Sequence, residues 1–261
     1  MISPVTQRAR SFGAVAAVYE RFRAGYPDEL VEQVLAYAGG PVRTALEIGA
    51  GTGKATRAFV RHGVAVTATD PDEAMLSELR RQVPDSVTTV QAAFEDLPVT
   101  TTYDLVFAAA SLHWTSTEGR WSRMAQMLSA GGTFASFGGP RELADPDLRV
   151  RVEAVRSAYL DGDDVPSPDG TPPESPMQWP GTELTASPWF VDVRQSTIER
   201  RTLLSAGDYV GHLSTVSAYL QLSEPVRRAA LDAILAVLPA HVDMIGDLTL
   251  HLARRAPSPL T

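Results

Sequence analysis

Between residues 46 and 54 the chain reads Leu46-Glu47-Ile48-Gly49-Ala50-Gly51-Thr52-Gly53-Lys54, an apolar run giving way to three alternating glycines. Glycine lets the backbone turn tightly and approach a ligand with no Cβ in the way. Such a loop could cradle a small molecule. Two phosphate-binding motifs look similar, and both fail here. The dinucleotide fingerprint needs a glycine three residues after its second, where this chain has Lys54. The P-loop needs glycine at position 48 and a hydroxyl residue at position 55, and these are Ile48 and Ala55. Asp70 stands about twenty residues past the first glycine, at the distance where a carboxylate meets the ribose hydroxyls of a nucleoside. Its bland alternative is a helix cap before Pro71, and the two roles are compatible.

The elements that must position these residues alternate. Phe12, Val15, Val18, Tyr19 and Phe22 recur at helical spacing, Gly25-Tyr26-Pro27 breaks the run, and a second helix ends at Gly39-Gly40-Pro41. Short apolar strands are expected at 44–48, 64–69, 87–91, 103–109 and 133–137, with amphipathic helices between most of them. Parallel neighbours need crossover helices, so the pattern predicts an α/β fold: a Rossmann-like, doubly wound, mostly parallel sheet. After a helix at 147–160, residues 161–188 are rich in Pro, Asp, Ser and Gly and read as an extended loop or lid. A strand at 190–201, helices at 207–220 and 224–238, and a last strand at 248–253 complete the chain. This predicts one domain over 1–261: an N-terminal helical lid (1–40), a core (41–140), a cap insertion after strand five (141–188) and a C-terminal part (189–261) completing a seven-stranded sheet.

Composition narrows the function. The formal net charge of −8 disfavours a polyanionic partner such as nucleic acid. The Arg200-Arg201 and Arg254-Arg255 pairs read as solvated strand ends. There is no cysteine, hence no thiolate metal site and no cysteine nucleophile. The histidines show no metal-ligand spacing, so no metal is expected, and Asp161-Gly162-Asp163-Asp164 reads as a solvated turn. The first eight residues lack the apolar core of a signal peptide, and no stretch reaches the roughly twenty apolar residues of a membrane span. A cytoplasmic protein is the expectation.

In order along the chain, the glycine loop, Ala68-Thr69-Asp70-Pro71-Asp72, Ala93-Phe94-Glu95-Asp96-Leu97-Pro98, Tyr103-Asp104-Leu105-Val106 and Leu128-Ser129-Ala130-Gly131-Gly132 resemble class I S-adenosylmethionine (SAM)-dependent methyltransferases. Tyr19, Arg23 to Pro27 and Leu112-His113-Trp114 are similar to the bacterial small-molecule branch called methyltransferase type 11, which includes trans-aconitate methyltransferase-like proteins. The resemblance covers nearly the whole chain and implies a seven-stranded sheet whose last strand is antiparallel. It implies SAM as cofactor, with its demethylated product SAH. Glu47 and the backbone of Gly49, Ala50, Gly51 and Gly53 would hold the methionyl part, and Asp70 the ribose. Pro71 or Asp72 would flank the adenine, whose edge Ala93, Phe94 and Glu95 would line. Ser111, after the fourth strand, joins this cofactor set. Members often carry a polar residue where this chain has Ala93, which leaves Glu95 or a carbonyl to meet the adenine amino group. The N-terminal segment would close over SAM, with Arg23 on the cofactor carboxylate and Tyr19 and Tyr26 bordering the methyl group.

A sulfonium methyl group needs no protein nucleophile, so the protein's work is to position an acceptor and remove a proton. His113 is the candidate base, with packing against Trp114 as the alternative. Met177, Trp179, Trp189 and Phe190 could form an apolar lid, although the last two could simply begin a strand. The expected activity is methylation of O, N or C of a small organic molecule in bacterial secondary metabolism. A SAM-binding regulator or scaffold is the alternative, followed by an NAD(P)-linked oxidoreductase. The sequence leaves the acceptor and the oligomeric state open.

Overall fold

The computed structural model describes residues 10–160, 167–172 and 174–257. The Asp161-Gly162-Asp163-Asp164 run and the first eight residues lie outside these. After a 3-10 turn at Arg10–Val15 come α1 (Ala16–Phe22), α2 (Asp28–Ala38) and β1 (Thr44–Ile48). They are followed by α3 (Lys54–Arg61), β2 (Ala65–Asp70), α4 (Glu73–Gln82), β3 (Thr88–Gln91), β4 (Tyr103–Ala109), α5 (Arg120–Gln126) and β5 (Leu128–Gly138). Next are β6 (Glu142–Leu143), α6 (Pro146–Arg156), α7 (Gly181–Ala186), β7 (Phe190–Ile198) and β8 (Arg201–Ser205). The chain ends with α8 (Ala206–Leu213), α9 (Ser217–Leu220), α10 (Glu224–Val237), β9 (His241–Ile245) and β10 (Leu248–Arg255).

These elements fall into two compact units. The sheet unit comprises the described parts of Gly25–Gly138, Pro166–Ile198 and Thr249–Thr261. Its seven strands run in the order β3-β2-β1-β4-β5-β10-β7. The pairs β1–β2, β1–β4, β2–β3 and β4–β5 are parallel, while β10 runs antiparallel to β5, pairing Thr249 with Gly138 and Arg254 with Thr133. Helices cover both faces of a parallel sheet, so its strands read as continuous apolar runs. Leu105, Val106, Phe107 and Ala108 of β4 are accordingly fully buried. Phe59 of α3 stacks on Phe107 at 4.3 Å between ring centroids, and Phe107 on Phe137 at 6.0 Å. Burying each such side chain contributes about 1.5–3 kcal/mol. Strand order reverses between β1 and β4, the switch point beyond whose carboxyl ends open α/β sheets bind their ligands.

The Arg254-Arg255 pair is not a solvated strand end. Arg254 donates to the carbonyls of Tyr37, Ala38 and Gly131, and Arg255 to that of Leu128. Tyr37 and Ala38 lie in the last turn of α2, whose carbonyls have no partner within the helix. Arg254 supplies one, and its charge suits the negative end of the helix dipole.

The accessory unit comprises the described parts of Met1–Ala24, Gly139–Val165 and Glu199–Leu248. Its antiparallel sheet runs β6-β9-β8. Leu143, Leu148, Tyr209, Tyr219, Ile234, Val242 and Met244 form its core. Ser205 starts α8 by accepting the Asp208 N–H at 3.1 Å while its hydroxyl donates to the Asp208 carboxylate at 2.7 Å. The helix expected over 207–220 is broken in two. Beyond α8, the buried Thr215 hydroxyl donates to the His212 carbonyl at 2.7 Å, and α9 begins only at Ser217.

The block-by-block division expected from the sequence gives way to this grouping. Of the N-terminal lid, α1 belongs to the accessory unit and α2 to the sheet unit. The expected cap splits likewise, with α6 in one unit and α7 in the other. From 189–261, β7 and β10 complete the seven-stranded sheet, whereas β8 and β9 pair with β6. The chain leaves the sheet unit after β5 and re-enters it twice, and alternation of apolar residues cannot reveal which sheet a strand joins.

Candidate functional site

The glycine loop lies at the carboxyl end of β1. Gly49, Gly51 and Gly53 all have left-handed φ, at 66°, 55° and 83°. A side chain at Gly49 would put its Cβ 2.6 Å from Ser111 Cβ, while nothing stands within 4 Å of the same position at Gly51. The loop is thus tight against β4 at one glycine and open at the next. Ser111, buried just after β4, donates its hydroxyl to the Ile48 carbonyl. The Ala50 N–H donates to the Thr69 carbonyl at 2.8 Å, and the Thr69 hydroxyl to the Glu47 carbonyl at 2.7 Å.

Asp70 holds the loop from β2. One carboxylate oxygen accepts the Gly51 N–H and the other the Asp72 N–H, each at 2.9 Å. The cap of α4 is Asp72, which accepts the Ala74 N–H at 2.9 Å, so Asp70 is not that cap. Burial pushes the Asp70 carboxyl up to about 6 against the pull of its two N–H partners. Glu47 sits fully buried under the loop and accepts the Thr56 hydroxyl at 2.5 Å. Burial drives its carboxyl up to about 8, the Thr56 bond opposing and the Asp70 charge adding.

Pro71 follows Asp70 directly at the end of β2, ahead of the α4 cap. Beyond β3, Ala93 leads into the 3-10 turn Phe94–Asp96. The Phe94 carbonyl accepts Arg123 Nε at 2.9 Å, and the Glu95 carboxylate accepts the Ser116 N–H at 2.5 Å. His113 occupies the 3-10 turn Leu112–Trp114, two residues past Ser111, with its ring 4.5 Å from that of Trp114.

The family model described as a methyltransferase domain matches residues 46–136, which run from the glycine loop to β5. A methyltransferase of Mycobacterium tuberculosis, itself uncharacterized, is 28% identical over 88% of this chain and 86% of its own length. Trans-aconitate 2-methyltransferase of an Acidovorax strain is 31% identical over 56% of this chain and 57% of its own. The chain is a SAM-dependent methyltransferase. The fold agrees too: the structure of a candidate type II methyltransferase from Anaeromyxobacter dehalogenans aligns at a TM-score of 0.61 and 23% identity, covering 90% of this chain and 99% of that one.

The methyltransferase brings Glu47, Gly49, Ala50, Gly51, Gly53, Asp70 and Ser111 together around one loop. Tyr26 belongs to the same unit, edge-on to Phe137 with centroids 4.9 Å apart. Tyr19 and Arg23 belong to the accessory unit, where Arg23 lies 5.2 Å from the Tyr19 ring and donates to the Thr215 hydroxyl and carbonyl at 2.8 and 3.0 Å. Of the aromatic residues offered as a lid, Phe190 follows the strand alternative. Phe190 begins β7 and is buried against Phe134 and Trp121, Trp179 packs on the same core, and Trp189 is exposed. Sequence reasoning missed Thr52, whose hydroxyl is buried in the loop with no hydrogen-bond partner among the described residues. Its place between two glycines of the loop was the available signal. No helix among the described residues is long and apolar enough to cross a membrane.

Proposed function

We propose that this methyltransferase binds SAM in the glycine cradle and moves its methyl group to O, N or C of a small organic molecule of the kind modified in bacterial secondary metabolism. The observation that carries the reading is the cradle, open at Gly51 and held from below by a carboxylate. The residues present fit the cofactor. A carboxylate has about four acceptor sites, and Asp70 commits two, leaving capacity for both ribose hydroxyls. The orphaned Thr52 hydroxyl would gain a partner, and the Asp70 carboxylate, charged at neutral pH, suits a cationic ligand. The backbone of Gly49, Ala50 and Gly53, with Ser111 behind it, would border the methionyl part. Pro71, Ala93 and Phe94 would flank the adenine. With Glu95 engaged by Ser116, the adenine edge falls to backbone groups of that turn.

Bound SAM supplies an electrophilic methyl group on a sulfonium. The chain's own residues must then hold an acceptor in line and accept its proton. We assign the proton to His113, with Tyr26 as a pocket wall. Two facts favour a small acceptor: the net charge of −8, and the Acidovorax relative's action on trans-aconitate.

Calorimetric titration with SAM, SAH and NADH tests the cofactor reading. SAM and SAH should bind, NADH should not, and Asp70→Ala should weaken both ligands. A folded protein that binds neither would overturn it. Transfer of labelled methyl groups into small organic acids and alcohols, set against transfer RNA and protein, tests the acceptor class.

A further inference from the structure

The accessory unit gathers positive charge around a buried histidine. His212, on α8, is 4% exposed, and Arg141 Nη1 lies 3.5 Å from its Nδ1. Arg23 reaches the same helix end. It spends two of its guanidinium hydrogens on Thr215, whose hydroxyl is tied in turn to the His212 carbonyl. A guanidinium carries five N–H donors in a rigid fork, so most of Arg23 and nearly all of Arg141 is uncommitted. Among the described residues no carboxylate pairs with either, although both are half-buried. The Arg141 stem lies along Gly246, where a Cβ would stand 3.5 Å from its Nε.

The charges feel one another. Burial, Arg23 and Arg141 together push His212 down to about 3, so the imidazole is neutral at physiological pH. Burial, and then the charges of Arg200 and Arg23, depress Arg141 as well. Withdrawing like charges from water without a counter-charge is costly, and in a chain of net charge −8 carboxylates are not scarce. An arrangement that sets one guanidinium fork against a neutral imidazole and anchors a second on Thr215 at the same helix end is suited to an anion from outside the chain.

We propose that Arg23, Arg141 and His212 form a binding site for the carboxylate of a small molecule, with Thr215 as the positioning residue that fixes the Arg23 fork. Paired N–H groups match the two oxygens of a carboxylate. This gives Arg23 a different anion from the cofactor carboxylate that the family resemblance implied. The inference rests on this unit's residues alone and does not require the cofactor reading.

The test uses the full chain with succinate, inorganic phosphate and neutral succinamide as probes, read by calorimetry and by the His212 imidazole nitrogen resonances. Succinate should bind and shift those resonances, and succinamide should do neither. Arg141→Gln should weaken succinate by at least about tenfold, and Arg141→Lys should fall between, keeping charge but losing the fork. SAH titration of the same variants shows separately that they are folded and whether the cofactor reading stands. Unchanged succinate affinity in Arg141→Gln, an unmoved His212, or binding of phosphate but not succinate would overturn the proposal.

Discussion

A Cβ added at Gly49 would stand 2.6 Å from Ser111 Cβ, closer than packed carbons tolerate, so the end of β1 and the exit from β4 meet through a glycine that any side chain would push apart. The left-handed φ of 66° adds a second restriction. Gly49→Ala should cost about 2–4 kcal/mol, combining about 1–2 for the backbone with overpacking. Urea denaturation measures this. Gly49→Ala combined with Ser111→Gly should recover the overpacking part and not the backbone part. Full recovery would mean that the backbone conformation carries no cost.

Asp70 makes cofactor binding depend on pH. Its folded carboxyl is raised to about 6, and ribose hydroxyls donate to the charged form. Below pH 6 a proton must therefore leave before the nucleoside is held. SAM affinity should fall by up to about tenfold per pH unit below 6 and level off above it. Asp70→Asn should bind weakly at every pH, without that slope. A wild-type affinity that is flat from pH 5 to pH 7 would contradict the assignment.

Glu47 sets a different pH dependence, in stability. Its folded carboxyl titrates at about 8, above the unfolded value near 4.3. In that window the folded state holds a proton that the unfolded state lacks, so the Glu47 contribution is complete below it and is lost as pH rises towards 8. Glu47→Gln keeps the shape without the proton. The stability difference between variant and wild type should climb with pH, at no more than about 1.4 kcal/mol per unit, and flatten above 8. Chemical denaturation at several pH values in the absence of SAM reads it.

What the sequence revealed was local. Three glycines after an apolar strand, and Asp70 about twenty residues on, declare themselves because a turn and its neighbouring carboxylate are set by nearby residues. The strand–helix alternation through β5 was legible for the same reason. Pairing between distant strands was not: β6 is two residues long and carries no periodic signal, so nothing announced that β8 and β9 would join it. The fates of Glu95 and Phe190 depend on Ser116 and on Trp121 and Phe134, partners far along the chain. Arg254 looked solvated because its acceptors are carbonyls, to which residue type gives no clue.

Arg254 should therefore matter to stability and not to ligand binding. It joins the end of α2 to β10 and lies 5.2 Å from the Tyr37 ring. Arg254→Ala should destabilise by about 1–3 kcal/mol, the range for hydrogen bonds from a charged group, with SAH affinity unchanged. Arg201 has no such carbonyl set among the described residues, and Arg201→Ala is the matched control.

His113 sorts chemistry from packing. It lies two residues past the serine that touches the loop, on a 3-10 turn, stacked at an angle on Trp114. If it accepts the acceptor's proton, His113→Ala should lower kcat by about a hundredfold or more and leave SAM affinity alone. If it only packs, Trp114→Phe and His113→Ala should both lower the melting temperature, with modest effects on turnover. His113→Gln separates the two further, because it restores volume and hydrogen bonding without a titrating group. Under the base assignment the Gln variant stays as slow as the Ala variant, and the acidic limb of the kcat–pH profile that belongs to the imidazole disappears with it. A Gln variant with wild-type turnover would make His113 a packing residue.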